Sequence, residues 1–128
     1  MYRSIILSFL FGLISLSSVA HEMTPTYPKF KGSFMSGLIS TKMEIFNKRK
    51  DIEFYEIGVF DKDFGPIPFV SSYDVYQVQY LKKIEFEIYI REKDLKKAVY
   101  ICSRSRVLET KVSNTSVAST ICSKIKGK

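Results

Sequence analysis

A chain of 128 residues is long enough for one packed core and leaves no room for a second domain. Its net charge of +7 reflects 20 Lys and Arg against 13 Asp and Glu. Opposite signs interleave (Lys82, Lys83, Glu85, Glu87, Arg91, Glu92, Lys93, Asp94), which argues for a solvated mixed-charge surface and against a nucleic-acid stripe.

The chain opens with one cation, Arg3, an apolar run from Ile5 to Leu16, and small residues at Ser18 and Ala20. This is the layout of a secretory signal peptide, residues 1–20, with cleavage expected after Ala20. The apolar run is shorter than the ~20 residues a spanning helix needs, so no stable membrane insertion is expected after cleavage. The mature chain, His21–Lys128, stays basic without Arg3 and is expected in the periplasm or secreted as one domain.

The mature segments alternate with a period of two. Candidate strands run Phe30–Phe34, Ile39–Phe46, Ile52–Phe60, Ile67–Val70, Val75–Tyr80, Ile84–Ile90 and Val99–Leu108, with a further one at Ser116–Ile125. In Ile84–Ile90, Phe86 and the isoleucines share one face, with Glu85, Glu87 and Tyr89 opposite. Met43 and Ile45 share a face in the same way, and Gly58 marks a bulge or a close backbone approach. Turn residues separate the runs at 47–51, 61–66 and 91–97, the last with Leu95 on a single helical turn. The Ser/Thr-rich Ser113–Thr120 reads as a loop or a poorly buried edge strand. Nothing carries sustained helical periodicity or a repeat, so the economical architecture is all-β, a two-sheet sandwich of about seven strands.

The two cysteines, Cys102 and Cys122, form an even pair in an exported chain and are expected to be bonded. A closed zinc site is not expected for this pair, because such a site wants four ligands and His21 is the only histidine.

Ala98, Tyr100 and Cys102, at alternate positions after the Asp94 connection, resemble the tyrosine corner of immunoglobulin-like domains. There is no Trp and no cysteine in Thr41–Phe46, so the antibody-type core disulfide is unavailable. The order of features resembles instead the N-terminal immunoglobulin-like domain of periplasmic pilus-assembly chaperones. Those features are Gly37 before a strand ending at Asn47, Pro68-Phe69, the 91–94 corner, an aromatic strand and a closing Ser123-Lys124-Ile125-Lys126. The resemblance implies an edge strand that completes a partner's sheet, and two basic residues that hold the partner's C-terminal carboxylate. Those roles could fall to Lys29 or Lys31 on the first strand and to Lys124 or Lys126 on the last. The last strand, with Val117, Ser119, Ile121, Ser123 and Ile125 on one face, is a thin donor, and the second chaperone domain has no counterpart before Lys128. A chaperone-like fold is therefore expected ahead of chaperone activity.

The functional expectation is a non-enzymatic interaction module that binds another exported, envelope or pilus-type protein by edge-strand or sheet-face contacts, without a cofactor. Tyr27, Tyr55, Tyr73, Tyr76, Tyr80 and Tyr89 are the contact candidates. The alternative is copper binding by a new N-terminal His21, whose amine and imidazole could chelate with Met23, Met35 or Met43 nearby; a second imidazole is missing. An enzyme is the least supported class, because cleavage would leave the only histidine at a mobile terminus and no phosphate loop or dinucleotide fingerprint is present.

Overall fold

The computed structural model describes residues 20–107 and 118–128. Residues 1–19 of the expected signal peptide and most of Ser113–Thr120 lie outside them. Among the described residues, eight strands form two antiparallel sheets around one core. In the first sheet, β3 (Leu38–Phe46) is central and pairs along its length with β6 (Lys83–Arg91). Its other edge is shared by two short strands, β1 (Glu22–Thr24) near its end and β2 (Lys31–Gly32) near its start. The second sheet has the order β5 (Val75–Gln77), β4 (Phe54–Phe60), β7 (Tyr100–Arg106) and β8 (Thr120–Lys124).

The alternation in the sequence decides which face is buried. Ile39, Thr41, Met43 and Ile45 of β3 face Phe86, Ile88 and Ile90 of β6 on the inner side of the first sheet. Tyr55, Ile57 and Val59 of β4, with Ile101 of β7, close the core from the second sheet. Fully burying each such side chain contributes about 1.5–3 kcal/mol. The outward faces carry Lys42, Glu44, Glu85 and Glu87, joined by exposed pairs such as Lys42–Glu85 at 3.6 Å, which contribute little to stability.

Three expectations change. Ile67–Val70 is not a strand: Pro66 and Pro68 remove amide donors, and only isolated bridges form, Phe60 to Pro66 and Val70 to Tyr89. Phe30–Phe34 shortens to Lys31–Gly32, and Phe34 ends up 84% exposed. A strand that the reading lacked, β1, forms at Glu22–Thr24, where one apolar residue in three gave no alternation to read. The helical turn at Leu95 is present as a short 3-10 segment, Glu92–Asp94, closed by the Leu95 amide donating to the Glu92 carbonyl.

Candidate partner-binding surfaces

The first strand ties the two sheets together on one side. Residues 21–28 run parallel to 119–126 at a constant offset of 98. His21 Nδ1 is bonded to the Ser119 hydroxyl, and the Lys124 and Lys126 amides donate to the Thr26 and Pro28 carbonyls. Within this run, residues 22–24 turn away to pair with β3. The Ser105 and Ile125 amides donate to Ser119 and Val99, which fixes the bonding pairs of the β7–β8 ladder. In an antiparallel ladder the intervening residues, Thr120 and Cys122, then turn their N–H and C=O away from β7. Among the described residues no backbone partner meets them. Among the described residues, two rungs of β8 thus form an open edge where β1 peels off.

The lysines proposed from the sequence distribute around this seam. Lys29 and Lys31 line one depression of about 450 Å³ with Lys42, Gly32 and Glu87. Lys126 reaches the same end of the seam, since its amide bonds to the residue before Lys29. Lys124 does not join them: it lies opposite Tyr100 on the outer face of the second sheet. The alternate side chains of the last strand expected to face a partner are directed inward, with Ser123 and Ile125 buried and Ile121 packed against the core. Val117 lies outside the described residues. Of the tyrosines, Tyr55 and Tyr76 are buried, whereas Tyr27 and Tyr73 are each 65% exposed.

Cys102 and Cys122 form a disulfide between directly opposed residues, with Cα atoms 4.0 Å apart. It lies on the outer face of the second sheet, outside the core. Gly58 sits opposite Cys102 in an unbroken ladder, so no bulge forms. Instead the Phe60 ring covers the glycine, and a Cβ added at Gly58 would come within 2.6 Å of it. Tyr100 stacks on Phe64 at 4.8 Å and 4°. That placement replaces the expected tyrosine corner, because the ring is held by an outer-face aromatic stack.

His21 is not at a mobile terminus. It is 1% exposed, with Nε2 bonded to the Ser103 hydroxyl at 2.7 Å and Nδ1 to the Ser119 hydroxyl at 3.3 Å. Its ring lies 4.4 Å from that of Tyr55, whose hydroxyl donates to Asn47 Oδ1 at 2.6 Å. Burial lowers the imidazole pKa to about 4, and the nearby Arg49 acts in the same direction. Both nitrogens are engaged with hydroxyls inside the sandwich, so chelation by His21 requires opening this network. Met23 and Met43 are buried in the core. The Ser103–His21 pair presents no nucleophile to solvent, because Ser103 is itself fully buried. Sequence reasoning missed this cluster, since its members are 82 and 98 residues apart.

No family model matches the chain, and no curated relative is found. Among solved structures, the E. coli chaperone DraB is similar, with a TM-score of 0.59 at 15% identity. The match covers 83% of this chain and 53% of that one. The fold is shared. The all-β immunoglobulin-like sandwich expected from the sequence is therefore established, and the chain spans about half the length of the chaperone. No described helix is long and apolar enough to cross a membrane.

Proposed function

We propose that the chain is exported, processed after Ala20, and acts as a chaperone-like module that binds another envelope or pilus-type protein by adding a strand at the β1–β8 seam. The observation that carries this reading is the open edge of β8 at Thr120 and Cys122. A strand entering there finds backbone donors and acceptors without partners among the described residues, and main-chain pairing of this kind gives affinity without demanding one partner sequence. Lys29, Lys31 and Lys126 stand at one end of the seam, where a carboxylate is favoured. Lys124 is directed to the outer face and contributes to a second surface. The likeness to a chaperone supports the reading at the level of fold, and the exposed Tyr27 at the seam suits a protein contact. Because Ile121 and Ile125 are committed to the chain's own core, the edge offers its backbone and its charges more than apolar side chains.

Recovery from an exporting host tests both parts. Intact mass is expected to begin at His21 and to be two hydrogens lighter before reduction. A pull-down from envelope extract is expected to capture a partner with the native chain, and several-fold less with Lys29→Glu combined with Lys126→Glu. A full-length mass with two alkylatable thiols counts against export, and no partner at any salt concentration counts against the binding role.

A further inference from the structure

The outer face of the second sheet carries a depression that shares Thr120 and Cys122 with the β8 edge but is not lined by Lys29, Lys31 or Lys126. Glu56 and Thr120 flank Arg104 directly across the ladder on its two sides. The Glu56 carboxylate bypasses this neighbour and accepts from Arg106 Nε on the diagonal. Arg104 is left exposed, with no ion pair among the described residues. Beside it opens a depression of about 340 Å³, lined by Gly58, the Cys102–Cys122 disulfide and the Phe60 and Phe64 rings. That volume is at the small end of ligand sites, on the scale of one or two side chains. The disulfide joins the two strands that form the floor, and the Phe60 ring folded over Gly58 forms a firm wall.

We propose that this depression binds a peptide segment in which an Asp or Glu stands next to an aromatic or large aliphatic residue. The carboxylate pairs with the Arg104 guanidinium, whose planar fork suits bidentate contact. The apolar neighbour lies against Phe60 and the disulfide. Charge favours an acidic ligand: Arg104, Arg106 and Lys124 share this face with Glu56. A sugar acid fits less well, because the Phe60 and Phe64 rings and the disulfide give the described lining an apolar part that offers ring hydroxyls no partner.

The test uses the oxidised, processed protein, labelled with nitrogen-15, and the peptides acetyl-Gly-Phe-Asp-Gly-amide and its Asn counterpart. Saturable shifts are expected at the Gly58, Arg104 and Thr120 amides and at Arg104 Nε–H with the Asp peptide. Binding is expected to be about ten-fold weaker for the Asn peptide and for Arg104→Gln, the loss of one charge-assisted contact. Arg104→Lys, which keeps the charge and loses the fork, is expected to fall between. The Lys29→Glu, Lys126→Glu variant is expected to bind as the native chain does, which separates this site from the seam. Equal binding of the two peptides, or no saturable shift at millimolar peptide, overturns the proposal. So does tighter binding of glucuronate than of the Asp peptide. Binding that appears only in Glu109→Gln also overturns it, because the site would then belong to the chain's own β7–β8 connection.

Discussion

Asn47 is buried and uses its whole side chain to hold backbone and ring in place. Its amide nitrogen donates to the Ile52 and Val78 carbonyls, each at 2.8 Å, while Oδ1 accepts from the Arg49 amide and the Tyr55 hydroxyl. Asn47→Ala leaves these buried groups without partners and is expected to lower stability by about 3 kcal/mol, read from urea unfolding. The sequence marked Asn47 as a strand end entering a turn, which it is. Its role as a hub was not legible, because Val78 lies 31 residues away. His21 predicts a pH effect. Its folded pKa, about 4, lies below the ordinary 6.5, so between these values the unfolded chain binds a proton that the folded chain refuses. Stability should therefore be fully retained above pH 6.5, fall as the pH drops toward 4, and lose nothing further from this group below it. The slope approaches about 1.4 kcal/mol per pH unit. Unfolding at several pH values, compared between the native chain and His21→Gln, isolates this contribution from that of the carboxylates, and the variant should show the shallower slope.

At the scale of elements, the β7–β8 hairpin depends on its cross-link. The disulfide spans 20 residues, and reduction is expected to cost ~3 kcal/mol in the chain-entropy model. A lower urea midpoint in the presence of reductant checks it. Between β4 and β7 the sensitive point is Gly58. Gly58→Ala drives a methyl into the Phe60 ring and is expected to destabilise by about 1–2 kcal/mol, and by much less in a Phe60→Ala background. The long strands β3 and β6 were legible within a residue or so because half-buried strands alternate strictly. The Ile67–Val70 segment read as a strand from its apolar residues, and the prolines on either side of Ile67 decided otherwise. The open edge of β8 could not be read at all, because it follows from which rungs β1 leaves unpaired, a property of two strands 98 residues apart.

For the molecule as a whole, the sandwich was legible because its evidence is local: period-two runs separated by turn residues. The surfaces proposed to bind partners are not local. Residue 126 comes beside residues 28 and 29 only because the two ends of the described domain lie side by side, and Arg104 has no ion pair among the described residues because Glu56 pairs diagonally. The side-by-side ends also have a mechanical consequence. Lys124 and Lys126 are bonded to Thr26 and Pro28 in parallel register, so tension between the two ends loads both bonds in shear at once, where a hairpin would open them one at a time. Pro25 and Pro28 have no amide to add to this set. A pull along the chain axis is therefore resisted first by a short patch next to the β8 edge, and the force needed to part it limits the load that the domain can carry.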